Sequence, residues 1–247
     1  MFIVQKKPNN YVPEQLAVQF EFLSTHSFSG FYTNGNEEII THLQQLFIND
    51  EQQIFLWGQA GAGKSHLLQA CCQEANNLKK TTFYFSLAEK PLPSPSMFEG
   101  LENIDLVCFD NIDQIIENPE WEHAFFNFFN LHRDNNNRLL LSALCPPKYL
   151  GLQLPDLKTR MDWGLTLKLS PLSDEERLNA LIYKANILGF KIPINVGKFL
   201  MTHYASDLPS IWKLLNKIEQ ATLAAQRKLT IPFLKQILAN QNDQKSR

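Results

Sequence analysis

The sequence predicts an α/β fold: a mostly parallel five-stranded sheet flanked by helices, followed by a small all-α domain. Three observations carry this prediction. Strand-like apolar segments alternate with helical patterns between residues 53 and 169. A complete G-x-x-x-x-G-K-[ST] motif joins the first strand to the helix behind it, and beyond Leu169 the periodicity becomes helical throughout. Alternation of strand and helix favours parallel pairing, because each crossover helix brings the chain back to the same end of the sheet.

The elements follow in order. Residues 1–14 are polar, and Pro8 and Pro13 discourage regular structure. Strands are expected at Gln53–Trp57, Thr82–Ser86, Leu106–Asp110, Leu139–Ala143 and Leu165–Leu169. Runs such as Leu106-Val107-Cys108-Phe109 suit strands buried on both faces. Helical patterns fall at Lys64–Leu78, Glu120–Arg133 and around Lys148–Gly151, whereas Pro91–Met97 holds three prolines and reads as a surface excursion. Ser173-Asp174-Glu175-Glu176 is a capping box opening a helix that Gly189 can close. Val196–Tyr204 and Ile211–Leu229 continue the helical period, and Thr230 caps a last helix, Ile231–Leu238, with Pro232 in its first turn. The expected units are a flexible segment over 1–24, a nucleotide-binding α/β domain over 25–170 and a helical domain over 171–240.

Composition narrows the class. The 247 residues are 44% apolar and 19% charged with a formal charge of -2, which argues against a general nucleic-acid binder. No apolar run approaches the roughly 20 residues a membrane span needs, and the N-terminus lacks a signal-peptide core. Cys71, Cys72, Cys108 and Cys145 lie in apolar stretches without zinc spacing, so buried free thiols in a reducing, cytoplasmic compartment are expected.

The chemistry concentrates in Gly58-Gln59-Ala60-Gly61-Ala62-Gly63-Lys64-Ser65, with His66 opening the helix that follows. Glycines at Gly58, Gly61 and Gly63, around the small Ala62, let successive backbone N–H groups turn toward one phosphate chain, and the helix N-terminus adds positive potential. Lys64 would reach the β- and γ-phosphates, and the Ser65 hydroxyl would complete a Mg²⁺ shell. Asp110, after four apolar residues at a strand's C-terminal end, is the second expected Mg²⁺ partner. Asn111 follows it; an amide can orient a water but cannot take its proton, so weak or absent self-hydrolysis is expected. Asp113 reads as a helix-start residue. Ser142 either touches a γ-phosphate or satisfies backbone at a strand end. Arg160 either completes a neighbour's active site or forms a surface salt bridge with Asp156 or Asp162.

From about Gln15 to Leu238 the chain resembles the DnaA subfamily of AAA+ proteins, and more narrowly the short DnaA-related Hda group that inactivates DnaA after initiation. The resemblance is strongest in Val107–Ile112, in Leu154–Gly164 with Trp163-Gly164, and in Ala225–Phe233. It implies an AAA+ module with a small all-α lid. It also implies that Arg160 is an arginine finger acting in trans on ATP held by DnaA, that Ser142 is the sensor 1 residue, and that Phe28, Phe31, Tyr32 and Asn36 pack around adenine. Gln15-Leu16-Ala17-Val18-Gln19-Phe20 resembles a sliding-clamp-binding peptide, with Gln15 as polar anchor and Leu16, Val18 and Phe20 in apolar pockets. The same alternation also fits a half-buried strand.

Two departures stand out. Pro209 occupies the position of an arginine that senses the γ-phosphate in DnaA, with Lys213 one turn on, and Asn111 replaces an acidic residue. Both point to ADP or ATP held as a structural ligand. Nothing comparable to DnaA's DNA-reading helix-turn-helix domain follows before Arg247, so contact with DNA is expected only through the clamp. The resemblance therefore implies a cytoplasmic, replisome-associated regulator with DnaA and the DNA polymerase III β sliding clamp as partners, no membrane, and self-association compatible with stacked AAA+ domains. The alternative is an autonomous DNA-processing ATPase such as a helicase loader.

Overall fold

The computed structural model describes residues 26–203 and 208–242. In chain order its elements are α1 (Glu37–Gln44), β1 (Gln53–Trp57), α2 (Lys64–Asn77), β2 (Thr82–Ser86), β3 (Leu106–Asp110), α3 (Pro119–Asp134), β4 (Arg138–Ala143), α4 (Pro155–Met161), β5 (Leu165–Lys168), α5 (Asp174–Ile187), α6 (Ile194–His203), α7 (Leu208–Ala225) and α8 (Ile231–Asn242). The strands form one parallel sheet in the order β2-β3-β4-β1-β5.

The two-residue period of a strand explains how one sheet builds two cores. Ile54, Leu56, Cys108 and Leu140 face one side, with Leu67, Leu68 and Cys71 of α2. Phe55, Val107, Phe109, Leu139 and Leu141 face the other, with Phe125, Phe128 and Phe129 of α3 and Leu157 of α4. Apolar side chains on both faces are why the inner strands read as continuous hydrophobic runs. A third cluster, including Leu181, Val196, Leu200, Ile211, Leu215 and Leu234, belongs to the C-terminal helices.

Parallel pairing gives the sheet a direction. The glycine-rich loop leaves the C-terminal end of β1, whereas the α4–β5 turn arrives at its N-terminal end, where Gln53 Nε2 donates to the Met161 carbonyl at 2.9 Å. Five strand residues separate these ends by about 16 Å.

Gly164 makes the second junction feasible. A Cβ there would lie 2.2 Å from the Gln53 carbonyl oxygen and 2.7 Å from its Cβ. Because the obstacle is backbone, Gly164→Ala must push β5 away from β1. We expect a loss of about 3 kcal/mol, read as a fall in Tm of roughly 6–12 °C. An unchanged Tm would show that the edge strand can move freely.

The capping box is present: Glu176 N donates to Ser173 Oγ at 3.3 Å and Ser173 N to Glu176 Oε2 at 2.7 Å. Some expected elements differ. The pattern at 148–151 yields only a 3₁₀ turn, Pro147–Tyr149. The proline-rich excursion contains a 3₁₀ turn of its own, Pro95–Phe98, because Phe98 inserts among Phe109, Trp121, Phe125 and Phe128. The helix expected to reach Leu229 stops at Ala225, where Gln226 takes a left-handed φ of 48°. Cys145 is half-buried, unlike Cys71, Cys72 and Cys108.

Candidate functional site

The phosphate-loop motif forms a closed turn. Gly61 and Gly63 adopt φ of 78° and 98°, values that side chains with a Cβ resist, and α2 begins at the next residue. Gly58 N donates to the Ala143 carbonyl at 3.3 Å, and a Cβ at Gly58 would meet the Leu169 carbonyl oxygen at 2.8 Å. Lys64 is buried and arches back over the loop, donating through Nζ to the carbonyls of Gly58 at 2.7 Å and Gln59 at 3.1 Å. Burial lowers its pKa, opposed by the nearby charges of Asp110 and Asp113. Lys64, Asp110 and Asp113 therefore share one electrostatic environment. Ala62 is buried and Ser65 is exposed.

Asp110 ends β3 with 1% of its surface exposed. Tyr84 OH donates to its Oδ2 at 3.0 Å, and the Ser142 hydroxyl donates to its Oδ1. Ser142, fully enclosed, also accepts from Asn111 N at 3.0 Å, while Asn111 adopts a left-handed φ of 61°. Ser142 thus ties the ends of β3 and β4 together and turns toward Asp110. Each Asp110 oxygen keeps a free acceptor lone pair. With the exposed Ser65 hydroxyl, this donor set fits a Mg²⁺ ion that retains most of its water. Among the described residues, no three His, Cys, Asp or Glu side chains gather as a metal cage.

The chain before α1 packs over the loop. A Cβ at Gly63 would meet the Phe31 ring at 2.5 Å, so the ring lies directly on that glycine. The His66 ring sits 5.4 Å from Phe31 and donates through Nε2 to the Ser27 carbonyl at 2.9 Å. Tyr32 meets Tyr183 of α5 edge-on at 5.9 Å, and Tyr183 OH donates to the Ser29 carbonyl at 2.8 Å. Asn34 donates to Glu176, and buried Asn36 accepts from Ser170 N at 3.0 Å. The segment expected around adenine therefore bridges the loop and the first C-terminal helix.

Burial drives the His66 pKa down to about 3, with the Ser27 carbonyl opposing and Lys184 and His26 adding to the fall. A base depressed from about 6.5 in the unfolded chain contributes stability that is complete above that value and is lost as pH falls toward 3. At pH 5 the loss is about 2 kcal/mol. His132, lowered to about 4 chiefly by burial, acts in the same direction. His66→Gln should therefore be less acid-labile than the parent in denaturant melts at pH 5 and 7. Equal acid lability in both proteins would contradict the burial effect.

Arg160 lies at the opposite end of the sheet, in the last turn of α4. Its guanidinium stacks 4.7 Å from the Phe126 ring centroid and 4.9 Å from that of Trp163, with Phe129 at 6.0 Å. Arg133 stacks on Trp163 as well, at 5.1 Å. The alternative expectation of a salt bridge to Asp156 or Asp162 is not met: the ion pairs among the described residues involve His42, Lys80 and Arg177. An aromatic bed holds the guanidinium through its faces and leaves its N–H edge free of carboxylate.

The clamp-peptide residues Gln15, Leu16, Val18 and Phe20 lie outside the described residues, as do the side chains of Pro209 and Lys213 in α7. Tyr84, Asp113, Tyr183 and Lys184 join the site without having been singled out for it. Lys184, its pKa lowered to about 8 by burial, acts electrostatically on His26 and His66. Tyr84 lies 26 residues from Asp110 in sequence, so no local pattern marks their contact.

A sheet in which β4 separates β1 from β3, with the phosphate loop after β1 and a helical lid behind β5, is the architecture of an AAA+ module. Two family models match adjoining parts of the chain: the bacterial DnaA ATPase domain over residues 93–168 and the Hda lid domain over residues 174–238. The chain is an Hda-like, DnaA-related protein. Among similar solved structures, domain III of DnaA from Thermotoga maritima is 19% identical with a TM-score of 0.69, covering 88% of this chain and 97% of that one. AMPPCP-bound DnaA from Aquifex aeolicus is 20% identical at a TM-score of 0.64, covering 79% of this chain and 65% of that one. The Thermotoga maritima RuvB branch migration motor is 16% identical at 0.61, covering 89% and 73%. At these identities the likeness is one of fold.

Proposed function

We propose that this DnaA-related AAA+ replication regulator holds ADP or ATP in its own phosphate loop and uses Arg160 in trans to stimulate hydrolysis of ATP carried by DnaA. The observation that carries this reading is the position of Arg160. It lies at the opposite end of the sheet from Lys64, on aromatic rings and without a carboxylate partner. It is thus remote from the nucleotide of its own chain and open toward a neighbour's.

Lys64, Gly61 and Gly63 would hold the phosphates, Phe31 and Tyr32 would flank the base, and Ser65 and Asp110 would hold Mg²⁺. Such a metal would supply positive charge against the phosphates. Asn111 supplies no base, so the resident nucleotide turns over slowly. The Gln15–Phe20 peptide, with Leu16 and Val18, tethers the chain to the DNA polymerase III β sliding clamp. That raises its effective concentration beside DnaA and couples inactivation to loaded DNA. A cytoplasmic location follows from these partners, and no helix among the described residues is long and apolar enough to cross a membrane.

The test is hydrolysis of labelled ATP preloaded on DnaA, with clamp-loaded DNA present, with and without this chain. Clamp-dependent acceleration is expected. No acceleration, with clamp binding verified, would overturn the reading in favour of a loader-type ATPase.

A further inference from the structure

We infer that Glu122 is a positioning residue for Arg160: its buried carboxylate fixes the start of α4, so that the last turn of that helix presents the guanidinium. This rests on the reading of Arg160 as a group that acts in trans.

Glu122 lies on α3 with 1% of its surface exposed. Its Oε2 accepts from Gln153 N at 2.9 Å and Leu154 N at 2.8 Å, the two amides immediately before Pro155 opens α4. Leu154 occupies the N-cap position and has no side-chain acceptor of its own, so Glu122 acts as an external cap. Its negative charge also suits the positive end of the helix. With only 7 residues α4 has little intrinsic stability, and its placement depends on what grips its ends. Gln53 grips the other end through the Met161 carbonyl.

The spacing on α3 links the cap to the guanidinium. Glu122, Phe126, Phe129 and Arg133 follow i, i+4, i+7, i+11 and so share one face. The first holds the start of α4, the next two form the ring bed beneath Arg160, and the last stacks on Trp163. One rigid helix face thus sets both the helix that carries the arginine and the surface on which it lies. Glu122 Oε1 has no hydrogen-bond partner. A methionine would fill this space without burying a half-satisfied polar group, so packing alone does not account for a carboxylate here.

The test uses the full chain, ATP-loaded DnaA and clamp-loaded DNA, comparing Glu122→Met, Glu122→Gln, Glu122→Asp and Arg160→Ala. Glu122→Met removes the acceptor and should lower the maximal stimulated rate by about 10- to 100-fold. The half-saturating concentration and the affinity of the chain's own ADP should be unchanged. Glu122→Gln keeps a carbonyl oxygen for both amides and should restore most of the rate. Should Glu122→Met fail to fold, Glu122→Asp decides, because it withdraws the carboxylate by one methylene and should also slow the maximal rate. A full maximal rate in a folded Met or Asp variant, with Arg160→Ala inactive, overturns the positioning role. Full activity of Arg160→Ala would instead overturn the trans-acting reading itself.

Discussion

Arg160→Ala is expected to lower clamp-dependent hydrolysis of DnaA-bound ATP by roughly 10³–10⁵-fold, to the rate of DnaA alone. The size of this effect follows from what a guanidinium does at a transferring phosphoryl group: it spreads positive charge over equatorial oxygens where negative charge accumulates. Arg160→Lys should be nearly as inactive, since an ammonium neither stacks flat on Phe126 and Trp163 nor presents a planar fork. ADP binding should be untouched, because the substitution lies at the other end of the sheet from the phosphate loop, and clamp binding should be untouched because it is assigned to residues 15–20. Stability should fall by only about 1 kcal/mol, the loss of a half-buried cation–π contact. Parallel single-turnover hydrolysis, clamp-binding and ADP-titration measurements separate these effects, and a variant that retains stimulation removes Arg160 from the mechanism.

The second large effect is expected at Lys64. Lys64→Ala should weaken ADP binding about 100-fold, the value of one strong charge-assisted contact in a partly dry site. The loop loses more than a ligand contact, because Nζ also satisfies the Gly58 and Gln59 carbonyls and balances Asp110 and Asp113. Titration calorimetry with ADP reads the loss directly, and circular dichroism checks that the variant is folded. Unchanged affinity would mean that phosphates are held by backbone amides alone.

What could be read from the sequence and what could not divide along sequence separation. The phosphate loop and the acidic strand end are contiguous signals, each placed by flanking apolar runs, and β1, β2 and β3 occur at their expected bounds. The chemistry joining them is not contiguous. Tyr84 meets Asp110 across 26 residues and Glu122 meets Gln153 across 31, so nothing local marks either pair. Charge spacing leaves Arg160 either a group for a neighbour's site or a salt-bridge partner of Asp156 or Asp162. The rings of α3 hold it instead, since burial against aromatics competes well with a solvent-screened ion pair. The sequence leaves Ser142 either a γ-phosphate contact or a strand-end hydroxyl; its two hydrogen bonds, to Asp110 and from Asn111 N, depend on strands that become adjacent only in the folded sheet.

The opposition between the phosphate loop at one end of the sheet and Arg160 at the other makes the molecule vectorial. When copies stack end to end along the strand direction, the arginine end of one meets the loop end of the next, which is a head-to-tail contact. Each protomer would then be a donor on one side and an acceptor on the other, like links with a hook and an eye. An inactivator built this way would present its arginine end to one neighbouring nucleotide at a time.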